Sequence, residues 1–181
     1  VTAILDAAER VFTQYGARRA NVEDVARAAG VSRSTLYRAF PTKESLLQAV
    51  LDREIGEFFD QLDVLASGLP PRDAVVECFT AGMALTREIP LLARLVETEP
   101  EILTGIGGSS NISTVLGSAD RVAQTLRRSG ATMPGDELHV VAELMLRIAY
   151  TYMLNPHGAV DMTDPAQVRE YAKKYLASLV Y

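Results

Sequence analysis

Residues 32–43 hold a dense set of hydrogen-bonding side chains: Ser32, Arg33, Ser34 and Thr35 in succession, then Tyr37, Arg38 and, after Pro41-Thr42, Lys43. A guanidinium fork beside two hydroxyls is suited to acceptors on base edges and phosphates, and it breaks no bond by itself. Nothing else in the chain supplies a catalytic set. The Gly105–Ser110 run lacks the Gly-Lys-Ser/Thr ending of a phosphate loop, and the only lysines are Lys43, Lys173 and Lys174. There is no Gly-x-Ser-x-Gly elbow. One cysteine (Cys78) and two histidines (His139, His157) cannot make a zinc site, so neither metal nor cofactor is expected. His139 lies on a core-rich helix and reads as structural, and Cys78 beside Phe79 reads as inert core.

These donors need rigid elements behind them. A helix over Thr2–Tyr15 puts Ile4, Leu5, Ala8, Val11, Phe12 and Tyr15 on one face and stops at Gly16. Asn21 caps a short second helix that buries Val22, Val25, Ala26 and Ala29, and Gly30 ends it. Ser32 caps a third, which buries Leu36 and Phe40. Ala26, Ala29 and Gly30 are small enough for the second and third helices to cross closely, as in a helix-turn-helix. The N-terminal residues of that third helix, Arg33, Ser34 and Thr35, are then the ones placed to reach base edges, and any of the three could be the reader, since one of them could instead cap the helix.

A long fourth helix starts at Pro41-Thr42 and carries Leu46, Leu47, Val50, Leu51, Ile55, Phe58, Phe59 and Leu62, until Ser67-Gly68-Leu69-Pro70-Pro71 breaks the chain. Further helices are expected at Arg72–Ile89, Pro90–Leu103, Ile112–Ser129, Gly135–Leu154 and Pro165–Val180, about nine in all, with no strand pattern. The fold class is therefore all-α: a helix-turn-helix domain over 1–46 and a helical domain over 47–181. Glu143 and Arg147, spaced as an i,i+4 pair, argue against Gly135–Leu154 as a membrane span. Its stripe of Leu138, Val141, Ala142, Met145, Ile148, Ala149 and Tyr152 matches a second stripe of Val168, Tyr171, Ala172, Tyr175, Leu176 and Leu179. The two either close the protomer's own core or pair across a dimer; we favour a homodimer through Leu138, Val141, Met145, Tyr152, Tyr171, Tyr175 and Leu179.

Charge follows the same division. Although the 181-residue chain has a net charge of −5, residues 1–50 hold seven basic against five acidic residues, and the remainder 11 basic against 18 acidic. A hydrophobic content of 48% supports a substantial core, and a lone cysteine excludes an intrachain disulfide. The chain opens on Val1 in a helical pattern without a signal peptide, so a missing natural N-terminus and a cytoplasmic location are expected.

The run Ala-Arg-Ala-Ala-Gly-Val-Ser-Arg-Ser-Thr-Leu-Tyr-Arg-Ala-Phe-Pro-Thr-Lys-Glu-Ser-Leu, within residues 20–47 and extended upstream by Ala7-Ala8-Glu9-Arg10-Val11-Phe12, resembles the signature of the TetR (tetracycline-repressor) family of transcriptional regulators. It covers about a quarter of the chain. The resemblance implies a homodimer with an N-terminal head for double-stranded operator DNA and a C-terminal body for a small-molecule effector. It implies that Tyr37 contacts phosphate, that Lys43 pins the backbone beside it, that Asn21 presents its amide near a phosphate, and that Arg33, Ser34, Thr35 and Arg38 divide base and backbone contacts. Two positions depart from the pattern: Asn21 replaces the usual Thr, and Ala39 stands where a polar residue such as His is common.

The expected function is repression of a palindromic operator, released by a small, largely apolar effector. Phe79, Met83, Leu92, Leu95, Val96, Leu116, Val122, Met145 and Tyr150 are the candidate cavity lining, with Arg121, Glu97 and Arg147 as polar candidates. The same apolar residues also read as plain core. The fourth helix, shared by both domains, is the expected mechanical link between them.

Overall fold

The computed structural model describes residues 1–104 and 110–181, with the side chains of residues 104–116 excluded. Residues 105–109 of the Gly105–Ser110 run and the side chain of the effector candidate Leu116 therefore lie outside the described residues. The described residues contain ten helices and no strand: α1 (Thr2–Tyr15), α2 (Val22–Ala28), α3 (Arg33–Ala39), α4 (Lys43–Ala66), α5 (Pro71–Glu88), α6 (Pro90–Thr98), α7 (Pro100–Thr104), α8 (Ser110–Arg128), α9 (Gly135–Leu154) and α10 (Pro165–Tyr171). A π-helical turn (Ala172–Leu176) and a 3-10 turn (Ala177–Leu179) continue α10.

The chain forms two compact units, one of residues 1–57 with 89–100 and one of residues 58–88 with 101–181. The sequence reading divides the chain between residues 46 and 47; the unit that holds the head is larger and takes in α6. In this first unit α1 packs on α2 and on α6, and α2 on α3. Its interior holds Ile4, Ala7, Ala8, Val11 and Phe12 of α1, Val25 and Ala26 of α2, Leu36 of α3, Leu46 and Val50 of α4, and Leu91, Leu92 and Leu95 of α6.

Local chemistry fixes the ends of the short helices. The Asn21 Oδ1 accepts the Glu23 N–H at 3.0 Å, and the Ser32 Oγ accepts the Thr35 N–H at 3.1 Å. Between them Gly30 takes φ +67°, which lets its N–H and that of Val31 return to the carbonyls of Arg27 and Ala26 at 3.2 and 3.0 Å. That paired return closes α2 and turns the chain into α3. At the start of α4, Thr42 Oγ1 accepts the Ser45 N–H at 3.0 Å while Ser45 Oγ accepts the Thr42 N–H at 3.2 Å, a reciprocal cap.

In the second unit α8 packs on α9, and α5 on α10 and the two turns that follow it. One cluster joins Val75 and Val76 of α5, Leu126 of α8, Leu138 and Met145 of α9, and Leu176 and Val180 near the C-terminus. A smaller one joins Met83, Met162 and Val168, with Phe79, Tyr152 and Tyr171 against it.

Two expectations are corrected. The helix read over Pro90–Leu103 is two, because Glu99 leaves helical geometry (φ −145°, ψ 50°) ahead of Pro100, which disfavours α conformation in the residue before it. The C-terminal helix gives way to a π turn after Tyr171. The α9 stripe is largely internal: Leu138 and Met145 are buried in the unit's own core with Val141 packed against it, whereas Val140 and Leu144 are 64% and 44% exposed.

Candidate nucleic-acid interface

The third helix sorts its residues by face. Leu36 is completely buried and Phe40 half-buried, whereas Arg33, Ser34, Tyr37 and Arg38 are exposed. Positions 33 and 37, and 34 and 38, are i,i+4 neighbours, so the four make one patch two residues wide on one side of the helix. Tyr37 is 45% exposed, and its ring is one of the few large aromatic groups left in water. The geometry therefore presents a guanidinium at each end, with a hydroxyl and a phenol between.

Thr35 stands apart from that patch. Its Oγ1 lies 2.9 Å from Ser32 Oγ, and its backbone N–H is the one Ser32 caps, so both of its polar groups are engaged within the turn. Arg33 forms an ion pair with Glu23 of α2, both of them largely solvated. Such a pair is weak and leaves the guanidinium available to a stronger anion. Asn21 spends its amide oxygen on the cap and keeps its NH2 as a donor on an exposed residue.

Lys43 is differently placed. Its Nζ donates to the carbonyl of Arg18 at 2.8 Å and approaches that of Ala20 at 3.4 Å, so the ammonium closes the turn between α1 and α2. The same turn is held on its other side by Glu99, whose carboxylate accepts the Arg18 N–H. Glu99 carries no local signal in sequence: only the folded chain brings it to a segment 81 positions away.

The candidate effector residues do not share one compact unit. Leu92, Leu95 and Val96 belong to α6 in the first unit, where Leu92 and Leu95 are core. Phe79, Met83, Val122, Met145 and Tyr150 belong to the second. There the Phe79 ring stacks on Tyr171 with centroids 6.2 Å apart, and Tyr171 meets Tyr152 edge-on at 5.6 Å. Burial raises the Tyr150 phenol above its ordinary value, and burial together with the Tyr152 contact pushes Tyr171 up to about 12. Arg121 donates to Asp60 at 2.5 Å and Asp63 at 2.9 Å with its guanidinium over the Phe59 ring, while Arg147 pairs with Glu143 at 2.6 Å and Glu97 is exposed.

No group of three or more His, Cys, Asp or Glu able to hold a metal occurs among the described residues. No helix among them is long and apolar enough to cross a membrane.

Comparisons with known proteins agree on the head. Residues 4–50 match the family described as bacterial regulatory proteins, tetR family. An uncharacterized HTH-type transcriptional regulator of Mycobacterium tuberculosis is 35% identical over 118 residues, 64% of this chain and 58% of its own length. The chain thus matches less than two-thirds of that relative. The HTH-type transcriptional regulator RutR of Escherichia coli is 27% identical over 144 residues, 77% of this chain and 67% of RutR. Among solved structures, the TetR family repressor AlkX from Dietzia, implicated in biodegradation of n-alkanes, aligns with a TM-score of 0.71 at 20% identity, over 97% of this chain and 92% of AlkX. The fatty acid degradation regulator FadR from Bacillus halodurans aligns with a TM-score of 0.63 at 18% identity, over 97% of this chain and 98% of FadR. The two structural matches extend the likeness in fold beyond the head to nearly the whole chain, and residues 4–50 are a domain of the tetR family of bacterial regulatory proteins.

Proposed function

We propose that this chain is a sequence-specific DNA-binding transcriptional regulator of the cytoplasm, a repressor released from a palindromic operator by a small, largely apolar effector. The observation that carries the reading is the exposed patch of Arg33, Ser34, Tyr37 and Arg38 on a helix anchored from behind by the fully buried Leu36. The two arginines neutralise phosphates or read guanine edges, Ser34 donates or accepts at a base, and Tyr37 donates to a phosphate. Asn21 supports them from the start of α2.

Self-association gives the operator its two-fold symmetry. Val140 and Leu144 of α9 and Tyr175 near the C-terminus are large apolar groups left in water, and burying them against a second copy removes that exposure. This reading moves the interface on α9 one face around from Leu138, Val141 and Met145. Tyr152, Tyr171 and Leu179, all partly buried, flank it. The effector then belongs with the apolar and aromatic residues of the second unit, Phe79, Met83, Val122, Met145 and Tyr150, with Leu92, Leu95 and Val96 assigned to the packing of the head.

Selection from a random duplex pool tests the function. Enrichment of a site with two related half-sites roughly one helical turn apart, or a modest extension of that, supports it. A pool that stays random through successive rounds overturns it.

A further inference from the structure

We propose that Glu99 and Lys43 are positioning residues for DNA recognition, which grip the two ends of a single residue, Arg18, in the turn that leads into the helix-turn-helix. The proposal rests on the DNA-binding reading above, but the grip itself is a matter of backbone geometry within the first unit.

The turn begins where α1 stops. Gly16 adopts φ +81° and donates to the Phe12 carbonyl at 2.8 Å, and the chain reaches the α2 cap, Asn21, through a bend closed by the Ala20 N–H on the Gly16 carbonyl at 3.0 Å. The direction in which α2 leaves, and hence where α3 points, depends on the conformation of these few residues. The buried side chains of the bend, Ala17 and Ala20, are small, so hydrogen bonds to its backbone carry much of the restraint.

Two charged side chains supply them. From one side, Glu99 at the end of α6 accepts the Arg18 N–H on Oε2 at 3.1 Å and on Oε1 at 3.4 Å. From the other, the Lys43 ammonium at the start of α4 donates to the Arg18 carbonyl at 2.8 Å. Glu99 is only 7% exposed, a burial that a carboxylate tolerates only where hydrogen bonds replace its water. Its place is reserved: a Cβ on Gly16 would collide with Glu99 Oε1, so the glycine serves both the positive φ and the close approach of the carboxylate. The bend is thereby tied to α4 and α6 at once.

The grip gives Lys43 a role other than phosphate contact, and the two roles differ in a measurable way. A lysine that neutralises a phosphate contributes about 0.9 to the slope of log affinity against log salt, whereas one that only holds the turn, away from any phosphate, contributes nothing. Using the full chain and a duplex recovered by selection, Lys43→Ala and Glu99→Gln are each expected to weaken binding about tenfold with the salt slope of the wild type retained. In parallel, amide hydrogen exchange of Arg18 and of α2 and α3 should speed up in both variants, while amides of α8 and α9 keep their wild-type rates. Glu99→Gln keeps the shape and one acceptor, so it tests the contact without emptying the site; Glu99→Ala should give the same pattern more strongly. A slope reduced by about 0.9 in Lys43→Ala would overturn the assignment of Lys43. Exchange that is unchanged at Arg18, or that rises uniformly through both units, would overturn the grip. If no duplex is recovered, the DNA-binding reading fails, and the exchange pattern alone still decides whether Glu99 and Lys43 hold the turn.

Discussion

Arg53 Nη1 lies 2.6 Å from Asp6 Oδ1, so the middle of α4 is pinned to the first turns of α1. The same guanidinium reaches Glu9 at 2.7 Å and Glu54 at 3.5 Å, and its side chain is 20% exposed. One cation thus holds three carboxylates that would otherwise repel one another at a half-buried site. Arg53→Ala should destabilise the first unit by about 2–4 kcal/mol, more than a surface pair is worth, because it strands partly desolvated charge. Arg53→Lys should recover only part of this, since a point charge cannot fork between Asp6 and Glu9. Urea unfolding followed by signals from the head checks it; a change within about 0.5 kcal/mol would show the cluster to be solvated decoration.

Acid should weaken the second unit in a defined window. Burial by itself would raise the Asp63 carboxyl, but hydrogen bonds from Thr125 and Arg121 and the charge of Arg128 outweigh it and hold the group below its ordinary value. The bidentate contact from Arg169 holds Glu77 low as well. Both groups bind protons less readily folded than unfolded, so their stabilisation is complete above the ordinary carboxylate range and drains away as the pH falls through and below it. Glu54 in the first unit has the opposite sign: burial and the nearby Glu9 raise its carboxyl, and the strain it adds at neutral pH is relieved on acidification. Melting temperatures across that range should fall less steeply in an Asp63→Asn/Glu77→Gln variant than in the wild type. Parallel curves would contradict this linkage.

Cys78 should be unreactive in the folded chain. Its thiol is half-buried, its Sγ contacts the Leu62 carbonyl at 3.5 Å, and burial with the charges of Asp63 and Glu77 pushes it up to about 11. Iodoacetamide labelling at pH 8 should run at least about 100-fold slower in buffer than in urea. Comparable rates in the two would show a thiol accessible to oxidants.

The two faces of α9 should respond differently to charge. Leu138 is 2% exposed and lies in the core cluster, whereas Val140 is 64% exposed. Leu138→Asp should cost about 3–5 kcal/mol and compromise folding. Val140→Asp with Leu144→Asp should leave the melting of the isolated protomer intact while shifting light scattering toward monomer mass. A doubly charged variant that remains dimeric at low micromolar concentration would place the interface elsewhere.

Local signals carried far in this chain. Asn21, Ser32 and Asp164 cap helices as their types predict, Gly16 and Gly30 take positive φ where the apolar periodicity stops, and α9 spans the range its pattern implies. The exposed face of α3 was equally legible, because Leu36 and Phe40 fix which side points inward. Long-range choices were not. An α9 that is apolar on several sides does not reveal which side meets its own unit, so the burial of Leu138 and the exposure of Val140 could not be told apart. Pro100 warned of a break that apolar spacing through α6 and α7 obscured. The Lys43 charge was visible, but its partner is a backbone carbonyl whose position exists only once residues 16–20 have turned. Glu99 could not be found at all from neighbours in sequence, since burial of a carboxylate depends on a donor far along the chain.

Recognition of DNA by the α3 face is tested by a salt series of binding to a selected duplex with wild type and an Arg33→Ala/Tyr37→Ala/Arg38→Ala variant. All three residues are exposed, so the variant should keep the wild-type fold by circular dichroism and melt within a degree or two of it. Affinity should fall by about 100-fold or more, with the salt slope reduced by about one to two as the two cations cease to neutralise phosphates. Equal affinity and equal slope in the folded variant and the wild type would contradict it.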